Sequence, residues 1–380
     1  MPSVQFSIDA PGGNEIGRIS RLSGWGFDGN GEPPLAIRIG INNSDYLSLA
    51  HCIRQDVGLA FPDIPKAALS GFVGDLVVPF SIKADDRIRV SITAFFKSAK
   101  LQLLNRSFRV AERDLPDNKR CRSYDLVSLL EHPLTGQRIS PDRIGSSGIE
   151  DWTAGCSVAG TFHFHPVENL PIIRLTETGP THPYSAKARK LIESSDLFLD
   201  FGAGIRCDDD LFGHGVFLDA VHFRNIDVVN SFPTLPFRSN VFDVVISQAV
   251  FEHLPDPFFA AQEIKRVLKP KGYLLIDTAF MQPLHADPSH YFNMTQAGLT
   301  RILQGFRIEE IGIQPYQWPS FGLMMQLEAV LPFMQKGKWK KRLQNFLRQL
   351  KEEGDEFNAA LGTVGREILA AGVFALARKP

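Results

Sequence analysis

The chain has 380 residues, of which 44% are hydrophobic and 22% are charged, as is typical of globular proteins. Its formal net charge of −1 gives no electrostatic reason to expect nucleic acid as a partner. The four cysteines form no C-x-x-C pair, so we expect no disulfide framework and a cytoplasmic location. The sequence shows neither a signal-peptide pattern nor an apolar run of about 18 residues, so we expect no membrane span.

Residues 1–112 alternate apolar and polar side chains in short runs such as LAIRIGIN and DRIRVSITAFF. Gly, Asn, Asp and Pro separate these runs. A period of two predicts antiparallel strands with one buried face, and we therefore predict a β-sandwich-like domain over 1–112. The charged stretch 111–122 has no apolar periodicity and is typical of a linker.

A second region, 123–176, is short and irregular, and we expect it to pack on a neighbour because it is too small for its own core. From residue 182 to 380, strand-like and helix-like segments alternate. This alternation predicts a mainly parallel, doubly wound α/β sheet. A helix-rich insertion over about 320–368 precedes a predicted last strand, AAGVFALARK, and we expect this insertion to cap the ligand crevice.

One helix of this region is predicted in DPFFAAQEIKRVLKPKG, between two buried strands. Pro270 and Gly272 lie just beyond its expected end. Its predicted apolar face consists of Phe258, Ala261, Ile264, Val267 and Leu268.

The stretch LFLDFGAGIRCDDD, residues 197–210, begins like the first strand of a nucleotide-binding fold. The third glycine of a dinucleotide motif would fall at position 207, which is Cys207, and Asp208, Asp209 and Asp210 would repel a pyrophosphate. No Gly-Lys-Ser/Thr follows, so the loop is not a P-loop either. The sequence therefore disfavours a cofactor that carries phosphate.

S-adenosylmethionine fits this loop better, because it has no phosphate and carries a positive sulfur. Backbone at Gly202, Ala203 and Gly204 would approach the ligand closely. Asp200 would hold its amino-acid end, and Asp219, at the end of the next strand, would bind the ribose hydroxyls. The alternative is a tight turn in which Asp200 is only a solvated or capping residue. On the loop alone both interpretations stay open.

The wider pattern FLDFGAG, VFLDAV and LPFRSNVFDVVISQAVFEHLPDPFFAAQEIKRVLKPKGYLLI resembles the class I S-adenosylmethionine-dependent methyltransferases of type 11. The resemblance implies a seven-stranded Rossmann-like sheet with an antiparallel last strand and S-adenosylmethionine as cofactor. It places Asn230 and Ser231 against the adenine, where the family usually has an acidic residue, and Ser247 and Gln248 beside the cofactor. Arg206 stands where the family has its last glycine.

The segment from LLEHPLTGQRIS to HPVENLPIIRL resembles a small zinc-ribbon module that often accompanies such methyltransferases. The four positions that would bind the metal are His132, Thr135, Cys156 and Ala159. Threonine and alanine do not bind structural zinc, so we predict a relic without metal that keeps its packing around Pro166 and Pro171. His163 and His165 are predicted to be strand or surface residues.

The stretches SGWGFD and RQDVGLAFPDIPKAALSGF resemble a β-domain of bacterial glycosyltransferases and polysaccharide-assembly proteins. This resemblance suggests a glycan pathway without identifying a reaction. Trp25, Phe27 and Phe72 would form either a sugar-stacking surface or part of the core, and both interpretations stay open.

The segment 278–295 leaves the carboxyl end of a predicted strand and should therefore line the acceptor side of the crevice. It concentrates polar residues, among which His285 is our candidate general base, with His290 and His253 as alternatives. The competing interpretation is that these residues brace the loop and cap a helix that begins near Thr295.

The sequence thus predicts an S-adenosylmethionine-dependent methyltransferase whose acceptor is a small molecule, a glycan or a glycan precursor. The alternative is an inactive methyltransferase-fold scaffold in a polysaccharide-assembly system, since the glycine loop and the zinc positions are altered. The basic amphipathic stretch 321–350 is either a capping helix with a solvated face or a contact with the inner face of the membrane. The sequence leaves the oligomeric state undecided.

Overall fold

The computed structural model describes twenty strands and eight α-helices within part of the chain. The residues it describes are 4–17, 19–42, 44–48, 50–52, 54–77, 85–97, 99–111, 123–131, 133, 156–158, 161–164, 172–174, 183–206, 210–223, 225–230, 233–285 and 290–380. Several positions named above lie outside these residues: His132, Thr135, Ala159, His165, Pro166, Pro171, Cys207, Asp208, Asp209 and Ser231.

Nine strands lie in the N-terminal part of the chain. They are β1 (Gln5–Ala10), β2 (Glu15–Gly17), β3 (Ile19–Phe27), β4 (Ala36–Ile41), β5 (Ser44–Ser48), β6 (Ala50–Cys52), β7 (Gly71–Val77), β8 (Arg87–Phe95) and β9 (Lys100–Ala111). The strands predicted in LAIRIGIN and DRIRVSITAFF are β4 and β8. One short helix, α1 (Gln55–Ala60), interrupts the series.

The remaining strands follow. They are β10 (Cys156–Val158), β11 (Thr161–Phe164), β12 (Ile172–Arg174), β13 (Phe198–Phe201), β14 (Gly215–Asp219), β15 (Val221–Phe223), β16 (Val228–Asn230), β17 (Phe242–Gln248), β18 (Leu268–Ala279), β19 (Arg307–Gly312) and β20 (Gly372–Arg378). The other helices are α2 (Leu126–Leu129), α3 (Ala186–Glu193), α4 (Pro257–Val267), α5 (Gln296–Ile302), α6 (Pro319–Val330), α7 (Lys338–Ala360) and α8 (Gly362–Ile368).

The described residues divide into two compact units. The first comprises residues 1–181 and 218–232, and the second comprises 182–217 and 233–380. Strand β14 begins in the second unit and ends in the first. The predicted domain ranges 1–112, 123–176 and 182–380 stay predictions.

Within the first unit, the N-terminal strands form two sheets, with the orders β1-β3-β7-β6 and β2-β9-β8-β4-β5. All their pairings are antiparallel except that of β2 with β9. Leu22 and Phe72 from one sheet share a single buried core with Ile39, Ile92 and Phe108 from the other. The alternation along β8 therefore follows from one face that packs on this core.

Phe27 and Phe72 belong to the core of the first unit, with exposed fractions of 1% and 0%. Trp25 is partly buried and stacks on Phe27, with ring centroids 5.6 Å apart. The sugar-stacking interpretation is therefore wrong for both phenylalanines, because neither presents a ring face to solvent.

The sheet of the second unit has the strand order β13-β17-β18-β20-β19. Strands β13, β17 and β18 are parallel, and β20 runs antiparallel between β18 and β19. The predicted Rossmann-like α/β class and the antiparallel last strand are thus confirmed, while the count of seven strands stays a prediction. In the first unit, β16 pairs in parallel with both β11 and β14.

Helix α4 begins at Pro257 after the N-cap Asp256, whose carboxylate accepts from the Phe259 amide at 2.9 Å. The prediction for its apolar face is correct for Ala261, Ile264 and Val267 but wrong for Phe258, which is 49% exposed. The buried face instead runs through Pro257, Ala260, Ala261, Glu263, Ile264 and Val267. Leu268 is buried, but as the first residue of β18.

The chain between β19 and β20 is helical and contains α6, α7 and α8. Buried Ser320 and Asn358 join α6 to α7, since Asn358 accepts from the Ser320 amide at 3.0 Å and donates to its hydroxyl at 2.8 Å. Large apolar side chains remain exposed here, including Phe333 at 58% and Trp339 at 59%. Among the described helices, none combines the length and the apolar character needed to cross a bilayer.

Candidate active site

Three parallel strands of the second unit end at one edge of its sheet. Strand β13 ends at Phe201, β17 at Gln248 and β18 at Ala279. Because these strands run in the same direction and pair in register, the residues that follow them emerge at the same edge. The glycine loop, the turn after β17 and the predicted acceptor segment all begin there.

The glycine loop needs its glycines for two different reasons. Gly202 has a φ of +80°, and a Cβ there would collide with the Val250 side chain. Gly204 has a φ of +56°, but a Cβ there would meet no atom within 4 Å. The backbone at Gly204 therefore borders open space, as a loop that approaches a ligand requires, while Ala203 is buried.

Asp200, predicted to hold the cofactor, is completely buried in a network with two neighbours. The Arg206 guanidinium donates from Nε to Oδ2 at 2.7 Å and from Nη2 to Oδ1 at 3.0 Å. The Tyr184 hydroxyl donates to Oδ2 at 2.5 Å, and the guanidinium lies 4.3 Å from the centre of the Tyr184 ring. Burial raises the pKa of the Tyr184 hydroxyl well above its usual value, so it stays protonated and donates.

Arg206 therefore replaces the missing glycine with a side chain that folds back onto the first strand. Comparison of the sequence with the family motif shows only that position 206 is not a glycine. The ion pair with Asp200 was not predicted, because the six-residue separation does not reveal which way the arginine points.

Asp210 does not present an unpaired charge to the loop, contrary to expectation. Its carboxylate is completely buried, pairs with Arg189 and accepts from the Tyr184 amide at 3.2 Å. The predicted repulsion of a pyrophosphate by Asp210 is therefore wrong, because its charge is neutralised inside the protein.

Ser247 and Gln248 end strand β17 and carry buried polar atoms that lack a partner. Within the part of the chain that the structure describes, neither the Ser247 hydroxyl nor the Gln248 carbonyl oxygen makes a hydrogen bond. The Gln248 amide nitrogen donates to Asp277 Oδ2 at 3.2 Å. Buried polar atoms are nearly always paired in folded proteins, so these two atoms mark a place where a polar ligand fits.

Asp277, near the end of β18, forms a network that the sequence analysis missed. Its carboxylate accepts from the Tyr316 hydroxyl at 2.7 Å and from the Gln317 side-chain amide at 3.3 Å. The Gln248 side-chain amide is a third donor. Burial raises the pKa of Asp277 to about 6, and the nearby Glu252 charge adds to this effect. An acidic residue inside the apolar run GYLLIDTAF could have indicated a buried carboxylate. Its partners Tyr316 and Gln317 could not be predicted, because they lie 39 and 40 residues later in the chain.

The three histidines predicted as candidate bases lie together. Ring centroids are 5.2 Å apart for His253 and His285, 5.9 Å for His253 and His290, and 4.2 Å for His285 and His290. Beside them lies Glu252, which is 1% exposed and accepts from the Thr278 hydroxyl at 2.9 Å. The structure therefore brings together a turn after β17 and a segment after β18, as expected of adjacent parallel strands.

Hydrogen bonds distinguish the two histidines of the acceptor segment. His285 Nδ1 lies 3.0 Å from the Pro283 carbonyl oxygen, which only accepts, so Nδ1 carries the hydrogen and Nε2 the lone pair. His290 uses both nitrogens: Nδ1 accepts from the His285 amide at 3.3 Å, and Nε2 donates to the Phe292 carbonyl at 2.9 Å. Burial lowers the pKa of His285, which keeps it neutral.

The remaining predicted cofactor residues lie in the first unit. Asp219 ends β14 and accepts from the Val221 amide at 2.9 Å, and Asn230 ends β16 with an exposed fraction of 7%. Their roles, like those of the histidines and of Asp200, stay predictions.

Comparison with known proteins identifies part of this chain. Residues 213–276 match the family model of a methyltransferase domain, from just before β14 to within β18. A segment of 57 residues is 42% identical to an uncharacterized methyltransferase of Schizosaccharomyces pombe, over 15% of this chain and 20% of that protein. A similar segment is 46% identical to a glycine/sarcosine/dimethylglycine N-methyltransferase of Actinopolyspora halophila, over 15% of this chain and 9% of that protein.

The chain thus spans a fifth or less of the length of these curated relatives. A solved structure of phosphoethanolamine N-methyltransferase 2 from Haemonchus contortus, in complex with S-adenosyl-L-methionine, is 19% identical with a TM-score of 0.30 over 49% of each chain. The family match shows that residues 213–276 are similar to a methyltransferase domain.

Proposed function

We propose that this protein is an S-adenosylmethionine-dependent methyltransferase that acts on an acceptor not yet identified. The observation that carries the proposal is the methyltransferase match over 213–276, which contains Ser247, Gln248 and Glu252. The acceptor is a small molecule or a glycan, and a glycan or a glycan precursor is favoured. Support for a glycan comes from the N-terminal resemblance to bacterial glycan-pathway proteins, and we propose a cytoplasmic location without a nucleic-acid partner.

The residues of the second unit fit a sulfonium cofactor without phosphate. When bound, this cofactor supplies an electrophilic methyl group. Of the predicted loop residues Gly202, Ala203 and Gly204, the last borders the open space that a ligand needs. The unpaired oxygens of Ser247 and Gln248 supply acceptors for its ammonium or hydroxyl groups. Asp200, held by Arg206, positions the loop rather than contacting the ligand directly. Asp219 remains the residue proposed for the ribose hydroxyls from its place at the end of a strand, and Asn230 and Ser231 remain the adenine residues that the resemblance implies.

His285 is the proposed general base for a hydroxyl acceptor. Its Nδ1 hydrogen is held by the Pro283 carbonyl, so the Nε2 lone pair is the atom that takes the proton. His253 remains an alternative base. His290 is the weaker alternative, because both of its ring nitrogens are already hydrogen-bonded.

Calorimetry with S-adenosylmethionine tests the cofactor assignment. Gly204→Asn should abolish binding, because its side chain fills the open space beside the loop while asparagine tolerates a positive φ. Gly362→Asn is a matched control, since Gly362 has a φ of +63° and likewise no atom within 4 Å of a Cβ. Absence of binding heat for the wild type, or equal loss in both variants, would contradict the assignment.

A scaffold without catalysis is the second candidate, and a specific observation favours it. The Asp200–Arg206 ion pair occupies the first-strand carboxylate that we predicted would hold the amino-acid end of the cofactor. Cofactor binding without turnover on glycan or lipid-linked acceptors would support the scaffold. Mass spectrometry of surface glycans from a deletion strain, with loss of one methyl group, would support the methyltransferase.

A further inference from the structure

Three side chains at the sheet edge form a group that could hold a metal ion. Glu252, His253 and His285 each offer one ligand atom, and these atoms all lie within 4.8 Å of one another. Glu252 and His253 lie on the 3₁₀ turn Phe251–His253 after β17, and His285 lies in the segment after β18. Because β17 and β18 pair in parallel, the sheet itself holds the two segments side by side.

Two of these side chains are already oriented by neighbours, as metal ligands usually are. The Pro283 carbonyl accepts the Nδ1 hydrogen of His285 and thereby directs the Nε2 lone pair toward the group. The Thr278 hydroxyl donates to Glu252 Oε2 at 2.9 Å and fixes the carboxylate. Hydrogen bonds from such neighbours set the tautomer and orientation of the ligands in known metal sites.

Glu252 also anchors the segment that carries His285. Its backbone carbonyl accepts from the Tyr291 amide at 2.7 Å and from the Phe292 amide at 3.3 Å. The turn after β17 and the segment after β18 are therefore joined at the ligand cluster itself.

His290 lies next to the group but is not part of it. Its Nδ1 accepts from the His285 amide and its Nε2 donates to the Phe292 carbonyl, so neither nitrogen has a lone pair to offer. This difference separates His290 from His285, whose Nε2 keeps its lone pair.

The donor set indicates the class of metal. Imidazole suits Zn²⁺ and other divalent transition metals, whereas Mg²⁺ and Ca²⁺ prefer sites made of oxygen ligands. Two histidines and one glutamate, with a fourth position left for water or substrate, form a donor set of catalytic zinc sites. Bonds of about 2.0–2.2 Å require closer ligand atoms than 4.8 Å, so binding would draw the three side chains together.

We propose that Glu252, His253 and His285 bind one divalent transition metal of the Zn²⁺ class, with an open coordination position toward the acceptor. The role of that open position rests on the proposed methyl transfer, in which it would bind an acceptor oxygen and lower the pKa of its hydroxyl, so that the proton is released to solvent. The oxygen would then form a bond to the methyl carbon as the bond from that carbon to the sulfonium breaks and the neutral thioether leaves. His285 would serve as a ligand instead of a base.

Metal binding is measured on the full chain without cofactor, after treatment with a chelator. Titration with Zn²⁺ against a chromophoric chelator should give one metal per chain, and Co²⁺ should give the visible absorption of a four- or five-coordinate site. Glu252→Gln, His253→Ala and His285→Ala should each lose this stoichiometry. Thr278→Val should keep it with about 10–100-fold weaker binding, because Thr278 only orients a ligand.

The matched control is His290→Gln, which should retain one metal per chain. Thermal unfolding of each variant verifies that it is folded before its metal content is interpreted. No stoichiometric binding by the wild type, or unchanged binding in folded ligand variants, would overturn the site. Loss of the metal in a folded His290→Gln variant would overturn the assigned ligand set.

The test of the metal site can fail or succeed independently of the proposed function, because S-adenosylmethionine binding by the metal-free protein is measured separately. Metal binding without cofactor binding would contradict the methyltransferase assignment and leave the site intact. If the protein binds S-adenosylmethionine but no metal, the metal site is contradicted and the methyltransferase assignment is left intact.

Discussion

Arg206 donates two hydrogen bonds to the carboxylate of Asp200, and both side chains are buried, with exposed fractions of 7% and 0%. The pair joins the end of β13 to the loop that follows it. A buried charge that loses its partner is far more costly than the intact pair is stabilising. The loop therefore depends on Arg206 for its conformation, even though a glycine would be the usual residue there.

Arg206→Leu should lower the free energy of unfolding by about 3–5 kcal/mol, because it leaves the Asp200 charge buried without its cation. The double variant Asp200→Asn with Arg206→Leu should recover most of this loss. Urea denaturation measures both. The control is Lys351→Met, which breaks an ion pair with Glu328 whose side chains are more than half exposed and should cost less than about 1 kcal/mol. Equal effects in buried and exposed variants would contradict the interpretation.

Ser247→Ala should separate stability from binding. The Ser247 hydroxyl is buried and makes no hydrogen bond within the described residues, so its removal should not lower the free energy of unfolding. It should nevertheless weaken S-adenosylmethionine binding in calorimetry. Ser70→Ala is the matched control: that buried hydroxyl donates to the Ala67 carbonyl at 2.6 Å, and its loss should cost about 1 kcal/mol. A large destabilisation by Ser247→Ala would show that the hydroxyl is already paired.

Asp277 should make stability depend on pH. Burial raises its folded pKa to about 6, above the ordinary value of 3.8, so the folded state holds its proton more tightly than the unfolded state does. The resulting stabilisation is fully present below pH 3.8 and is lost as the pH rises through 6.

Asp277→Asn should therefore gain stability relative to the wild type between acidic and neutral pH, by up to about 3 kcal/mol. Urea denaturation across this range measures the difference. Tyr316→Phe removes a hydrogen bond that stabilises the ionised carboxylate and should become more destabilising as the pH rises. A difference between wild type and Asp277→Asn that does not vary with pH would rule out this titration.

The segment 321–350 should bind anionic vesicles if it contacts a membrane. Exposed Phe333 and Trp339 lie among the basic residues Lys336, Lys338, Lys340, Lys341 and Arg342. Phe333→Ser with Trp339→Ser should reduce flotation with such vesicles, and salt should reduce it as well. Val364→Ser with Ile368→Ser is the control, since these residues are 69% and 62% exposed outside the basic cluster. Flotation that is absent, or equally reduced by both pairs, would favour the solvated capping helix.

Periodicity and strand order predicted much of the second unit, because backbone hydrogen bonding and burial act on many residues at once. The proximity of His253 to His285 follows from that order, whereas the antiparallel direction of the last strand, β20, was implied by the resemblance to the methyltransferase family. The burial of single side chains was harder to predict. Phe258 fits the apolar face of α4 in the sequence pattern, yet it lies where the helix faces solvent.

The features that the sequence did not predict are mostly contacts between residues that are far apart in the chain. Tyr316 reaches Asp277 from a turn beyond β19, and no local pattern connects them. The direction of Arg206 depends on the space left by Tyr184, which only the folded structure defines. Patterns in a sequence report which residues are buried, whereas the partner of a buried charge depends on side-chain packing.

The predicted acceptor segment, residues 278–295, is anchored near both of its ends, and this affects how its sequence can diverge among related proteins. Hydrogen bonds from Phe280 and Met281 to Ala371 and Ala370 fix its start, and those from Tyr291 and Phe292 to Glu252 fix its end. Neither anchor depends on the described side chains from Gln282 to His285, so we expect substitutions there to leave the pairing of β18 unchanged. Under the proposed function, the choice of acceptor could then change within one short stretch while the rest of the second unit is inherited unchanged.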